Sequence, residues 1–143
     1  MYVQHKPIDN TMHAITNSIS REITGFYDAY FKEDKLATSY IELLLMIEDY
    51  DKISQKAIAT KMNLAPSTIT RFINKLIKKG LVSKKMDGRI SYVTLSESGK
   101  KEVPNLRNKY EQAEEDLKEL LGTKYVDTTK QLLMHGAALL QNR

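Results

Sequence analysis

Along residues 65–80 the chain reads APSTITRFINKLIKKG, and Ile69, Phe72, Ile73, Leu76 and Ile77 recur at i, i+3, i+4, i+7 and i+8. That spacing gathers apolar side chains on one stripe of a helix and commits the stripe to a core. The opposite face carries Ser67, Thr68, Arg71, Asn74, Lys75 and Lys78, short hydrogen-bonding groups mixed with cations. Pro66 suits the first helical position, where its missing N–H is not needed, and Gly80 suits the stop. Just before this segment, Ser54 is placed to cap a short helix whose buried side is Ala57, Ile58 and Met62, followed by a tight turn at 63–65. Two helices joined in this way, the second with a polar and basic free face, predict a helix-turn-helix. After Gly80 the period falls from 3.6 to 2. Residues 81–85 and 90–95 predict two short strands, with Asp87 and Gly88 at the tip of a type I′ hairpin.

The flanks are helical. Met12, Ile15, Ile19, Ile23, Phe26, Tyr27, Tyr30 and Phe31 keep helical spacing for about six turns, with Asp9, Asn10 or Thr11 as the cap. Residues 1–9 show no pattern and are expected to fray or to arm onto a neighbour. Residues 32–35 (KEDK) predict a turn. Ser39 and Glu42 then match a capping box, and residues 40–47 are apolar enough all round to be a buried helix. Ile53 is expected to make a single-residue strand pairing. Beyond the hairpin, Ser96 caps a helix in which Gly99 marks a close backbone approach and Pro104 is expected to kink or restart the helix. Leu106, Tyr110, Ala113, Leu117 and Leu120 then form a heptad seam, opposite an acidic face of Glu111, Glu114, Glu115, Asp116 and Glu119 that reads as solvated. Gly122 ends that helix. Thr123 is the expected cap of a last one, striped by Val126, Leu133, Ala137 and Leu140.

Charge sharpens this picture. Residues 52–101 hold twelve Lys and Arg against two acids, a net of +10, whereas the rest of the 143-residue chain holds ten against sixteen, a net of −6. A basic middle between acidic flanks is the footprint expected when one part meets phosphates and the others do not. The length fits a single domain, 1–143. With no cysteine, the chain has no disulfide framework, thiolate metal site or thiol redox switch. It has no apolar leader and no run of 18 apolar residues, so the expectation is a soluble, cytoplasmic protein that does not enter membranes.

An enzyme is not expected. His5, His13 and His135 are scattered and lie in no metalloprotease, hydrolase or phosphate-loop motif, so no catalytic residue, cofactor or metal site is assigned. One cluster could bind a ligand: Phe26, Tyr27, Tyr30, Phe31 and Tyr40 supply five of the eleven Tyr and Phe side chains. Aromatic stripes more often simply pack; the ligand alternative is a cavity formed by His13, Tyr27, Tyr30, Phe31 and Tyr40.

Residues 39–101 resemble the winged-helix core of the MarR family of transcriptional regulators. The resemblance rests on IATKMNLAPSTITRFINKLIKKG at 58–80, the following Leu81 and Val82, the wing Arg89, and VTLSESGK at 93–100; STITR at 67–71 is its most specific part. It implies a mainly α fold with a small β wing (α+β), a winged helix-turn-helix core at 38–100, and N- and C-terminal dimerisation helices at 10–34 and 101–143. It also implies a homodimeric regulator, a repressor, that binds double-stranded DNA at a palindromic operator and is released by a small anionic, lipophilic or phenolic effector. Transferred residue by residue, Ser67, Thr68, Thr70, Arg71 and Lys75 fall where the family's recognition helix contacts DNA, and Asn74 shares their face. Lys84, Lys85 and Arg89 fall in the wing and its flanks. Thr70 is equally suited to a packing or capping role. The wing KKMDGRIS is shorter than the common family form, which leaves Arg89 either a phosphate or an adjacent minor groove. The alternative function, a winged-helix module that binds protein, would be expected to expose apolar or aromatic groups where Arg71 and Lys75 stand.

Overall fold

The computed structural model describes residues 6–143. A 3₁₀ turn at Pro7–Asn10 leads into α1 (Met12–Asp28), which tightens into a second 3₁₀ turn at Ala29–Phe31. There follow α2 (Thr38–Tyr50), β1 (Ile53–Ser54), α3 (Gln55–Met62), α4 (Pro66–Lys78), β2 (Val82–Asp87), β3 (Ile90–Leu95), α5 (Glu97–Leu121) and α6 (Thr123–Gln141). The three strands form one antiparallel sheet in the order β1-β3-β2. This is the expected mainly α architecture with a small wing.

Most expected caps form. The Ser54 side chain accepts from the Ala57 N–H at 3.1 Å, and Ser96 accepts from the Gly99 N–H at 3.0 Å. Two caps differ from expectation. Helix α2 starts one residue before Ser39, and its cap comes from a distance: Asp28, the last residue of α1, accepts from both the N–H (2.8 Å) and the hydroxyl (2.6 Å) of buried Thr38. A carboxylate held there by tertiary structure displaces the local capping box. At the start of α6, Gly122 is the boundary residue and Thr123 is already helical. Thr11 alone of the three candidates caps α1, through the Ala14 N–H.

The main core joins Phe31, Leu36, the α2 residues Ile41, Leu43, Leu44 and Ile47, the α3 residue Ile58, the α4 stripe Ile69, Ile73 and Leu76, Val82 and Val93 of the wing base, and Val103 and Leu106 of α5. A second, small cluster joins Tyr27 to Ala113 and Leu117. The heptad seam of α5 is therefore used within the chain: its members pack on α1 and α2, and only Leu120 is left exposed. Helix α5 runs through Pro104 as one element. Ile53 and Ser54 pair with Val93 and Tyr92, so the first strand has two residues rather than one.

The junction between α4, the wing and α5 is closely built. Gly80, at φ +76°, turns the chain out of α4, and its carbonyl accepts from the Ser96 hydroxyl at 2.5 Å. The next carbonyl, that of Leu81, accepts from the Ser96 N–H at 3.0 Å. Gly99 presses against the same group: a Cβ there would lie 2.1 Å from the Leu81 oxygen. The obstacle is backbone already fixed by hydrogen bonds, so it cannot give way cheaply. Gly99→Ala is expected to destabilise the fold by about 2–4 kcal/mol, read as a lowered denaturation midpoint; a wild-type midpoint would contradict the packing described.

Candidate nucleic-acid interface

Helix α3 ends at Asn63, which takes the left-handed conformation (φ 53°, ψ 46°) that Asn tolerates better than most residues. The chain then crosses in three residues to Pro66 at the first position of α4. Ile69, Ile73 and Leu76 are fully buried under α4, which fixes its rotation. Ser67, Thr70, Arg71, Asn74 and Lys75 are exposed on its other side and Thr68 is half-buried. Ile77, expected in the stripe, is 37% exposed at the stripe's edge. Five of the six predicted recognition residues thus share an open surface.

Their surroundings separate their roles. The Thr70 hydroxyl donates to the Pro66 carbonyl one turn back, at 3.0 Å, and accepts from Gln55 of α3 at 3.4 Å. Its polar atom is thereby engaged within the protein, the packing alternative raised by the sequence. The Lys75 ammonium sits 4.6 Å from the ring centroid of Tyr40, which stacks on Phe72 at 4.4 Å. This cation–π contact steadies Lys75 without neutralising it. Among the described residues, no hydrogen bond or ion pair engages the side chains of Arg71 and Asn74, and both residues are exposed.

The wing pairs from Val82↔Leu95 to Asp87↔Ile90, which puts Gly88 and Arg89 at the turn in place of the expected Asp87 and Gly88. Gly88 has φ +61° and Arg89 does not have a positive φ, the sign pattern of a type II′ turn with glycine first. The shift of one residue carries Arg89 to the extreme tip. Lys84 lies opposite Val93 and Lys85 opposite Tyr92. Successive strand residues face opposite ways, so the two lysines leave the hairpin from different faces. Beside them, Lys52 stands 4.2 Å from the ring centroid of Tyr92, a cation that its position in the sequence did not single out.

The five side chains considered for an effector cavity do not line one. Phe31 is 1% exposed in the main core and Tyr40 lies under α4. Tyr30 donates to Asp116 at 2.5 Å, and the His13 ring meets Asn17 one turn along α1. Of the five, Tyr27 borders an open cleft of about 600 Å³ between α1, α2, α5 and α6, with Thr38, Glu42, Tyr110, Glu111, Glu114, Glu115 and Lys130. There the Tyr27 hydroxyl donates to Glu114, which also receives Lys130. The Tyr110 hydroxyl donates to Glu42 at 2.9 Å. Part of the supposedly solvated acidic face of α5 is therefore bonded to tyrosines. Burial, reinforced by Glu114, pushes the Tyr27 hydroxyl well above its ordinary value, and burial with the Glu42 charge does the same for Tyr110. Burial alone would raise Glu114, but its bonds from Lys130 and Tyr27 outweigh that and hold it below the usual carboxylate range.

The model of the MarR family matches residues 38–88, the segment from the start of α2 through the wing turn. The HTH-type transcriptional regulator SarZ of Staphylococcus haemolyticus is 30% identical over 119 residues, which cover 81% of this chain and 81% of that protein. The chain belongs to the MarR family. MarR-family structures share its fold over nearly the whole length. The transcriptional repressor CouR bound to a 23-mer DNA duplex superposes with a TM-score of 0.84 at 16% identity, over 96% of this chain and 99% of that one. A mutant MarR from E. coli complexed with operator DNA gives 0.81 at 15% identity, over 92% and 98%. Among the described residues, no helix is long and apolar enough to cross a membrane, and no group of three or more His, Asp or Glu could hold a metal ion.

The cleft makes its own prediction. A folded-state value raised above the unfolded one means that the stability due to Tyr27 is fully present below pH ~10, the ordinary tyrosine value, and is lost as pH rises beyond it. Tyr27→Phe is expected to cost about 1–2 kcal/mol at neutral pH and to shallow the fall in melting temperature between pH 9 and pH 11. An unchanged alkaline slope would show that the Tyr27–Glu114 contact is not formed in solution.

Proposed function

We propose that this protein is a sequence-specific double-stranded-DNA-binding transcriptional repressor that acts as a cytoplasmic homodimer on a palindromic operator. The observation that carries the reading is the free face of α4: a helix held by three fully buried residues turns Ser67, Arg71, Asn74 and Lys75 outward in the basic part of the chain. Arg71 is a bidentate donor suited to a guanine edge, and Asn74 pairs donor and acceptor as adenine does. Lys75, Lys84 and Lys85 supply phosphate contacts, and Arg89 at the wing tip supplies either a phosphate or a minor-groove contact. The protein-binding alternative is less well supported, because the same face exposes no aromatic side chain and Ile77 only at its edge.

The homodimer is supported at the other end of the molecule. Met12, Ile15 and Ile19 of α1 are exposed, as are Tyr125, Leu132, Leu133, Met134, Leu139 and Leu140 of α6. Between the two helices lies an apolar groove of about 440 Å³. A contiguous apolar surface of this kind, rimmed by polar groups, suits a second copy of the chain. Residues 10–34 and 101–143 are then the dimerising parts, and they set the distance between the two α4 helices, which must match the ~34 Å of one DNA turn. The cleft beside Tyr27 is the place for an effector. Four carboxylates against one ammonium disfavour anions there, so a neutral lipophilic or phenolic molecule fits better.

Selection of bound duplexes from a random pool should return a palindrome with half-sites one helical turn apart. On that duplex Arg71→Ala is expected to lose roughly ten- to hundredfold in affinity with relaxed preference at one base step. Arg89→Ala should lose a few-fold evenly across sequences. Wild-type preference in Arg71→Ala would refute base reading by α4. Leu133→Glu should convert a species of twice the 16.4 kDa chain mass into a monomer in sedimentation; a monomeric wild type at micromolar concentration would refute the dimer.

A further inference from the structure

Beyond the exposed recognition face, one buried-edge side chain joins the two parts that reach DNA. We infer that Gln55, the first residue of α3, is the positioning residue that fixes the wing relative to the recognition helix. This rests on the DNA-binding reading and adds to it a residue that makes no DNA contact of its own.

The Ser91 hydroxyl of β3 donates to Gln55 Oε1 at 2.6 Å, and Gln55 Nε2 donates to the Thr70 hydroxyl of α4 at 3.4 Å. Thr70 in turn commits its proton to the Pro66 carbonyl at 3.0 Å. A hydroxyl has one proton to give, so Thr70 can only accept from Gln55, and the amide must present its NH₂ to α4 and its oxygen to the wing. Both ends of the amide are thereby engaged inside the protein. A base-reading glutamine would need those same two groups free.

Its location makes the bridge consequential. The hairpin residues from Ser83 to Ile90 are all exposed, so no core packing orients them. The backbone pairing of β1 with β3 stops at Ser54↔Tyr92, one residue short of Ser91. Among the described residues, the Ser91–Gln55 bond is the only side-chain hydrogen bond that ties the hairpin 82–95 to the rest of the molecule. It is the last fixed point before the tip, two residues from Arg89. On the other side, Thr70 adjoins Arg71. Gln55 thus sets the angle between the side chain that reads a base and the one that reaches past the backbone. Its attachment to Ser54, whose side chain caps α3 and whose backbone pairs with β3, gives the amide a rigid base.

The test measures affinity of the full-length protein for the selected duplex in a cycle of Gln55→Ala and Arg89→Ala, together with amide hydrogen exchange of the free protein. Gln55→Ala should weaken binding a few-fold, no more than Arg89→Ala does, with a melting temperature near wild type, because the bridge lies outside the core. In the Arg89→Ala background the same substitution should cost less than about twofold, since a misplaced tip no longer matters. Ser91→Ala, which cuts only the wing side, should reproduce most of the loss. Exchange at Ser91 and Tyr92 should quicken in Gln55→Ala without any DNA present. Equal losses in both backgrounds would mean that Gln55 touches DNA itself and would overturn the inference, as would unchanged exchange or wild-type affinity. Failure of the wild-type chain to retain any duplex, with quickened exchange in the variant, would instead sink the DNA-binding reading while leaving the bridge in place.

Discussion

The molecule depends on the closure at Gly80, Leu81, Ser96 and Gly99. Here the recognition helix ends, the wing begins and ends, and the long α5 starts, all within the reach of one serine. The Ser96 hydroxyl donates to the Gly80 carbonyl while accepting the Gly99 N–H, and its own N–H holds Leu81. The absence of a side chain at Gly99 lets α5 come down on that strand. A wing on an independent hinge would leave α4 and α5 free to reorient. Closed in this way, α4, the wing base and α5 are joined at one point by backbone and side-chain hydrogen bonds.

Charge and polarity divide the chain along the same line. Among the described residues, Lys100 is the one cation of the basic middle in an ion pair, with Glu97, whereas the acidic flanks are bonded internally: Glu48 and Asp49 hold Arg107, Asp34 holds Lys109, and Glu114 and Asp116 take tyrosine hydroxyls. Most of these pairs lie at or near the surface, so each adds little stability. Their larger effect is to hold the acidic side chains on partners within the flanking helices, which leaves the basic excess of the middle uncancelled there.

What could be read in the sequence was what short-range rules decide. The α4 stripe, the Ser54 and Ser96 caps, the Gly80 stop and the close approach at Gly99 follow from local spacing and sterics, and each is present. What could not be read depends on distant partners. The Thr38 cap comes from Asp28, ten residues away, and no local motif signals it. Aspartate and glycine compete for the wing turn, and register with Leu95 decides the outcome. The aromatic residues looked like one cluster in sequence, yet a helix rotates them through different faces, leaving Phe31 in the core and Tyr27 at the cleft. Gln55 carried no motif, because its meaning lies in Thr70 and Ser91, 15 and 36 positions on. The polar, basic residues of α4 were legible as one exposed face; the contacts that orient that face were not.

Helix α5 spans 25 residues, about 37 Å at the usual rise, with one end locked into the wing base and the other against α1 and α6. Near its middle Tyr110 and Arg107 bear on α2, through Glu42 and Glu48. A tilt of only about 5° carries each end through roughly 1.5 Å, half the length of a hydrogen bond. The two ends of the molecule therefore share one rigid strut, and a lean too small to break any contact at its middle is already large on the scale of the bonds at its tips.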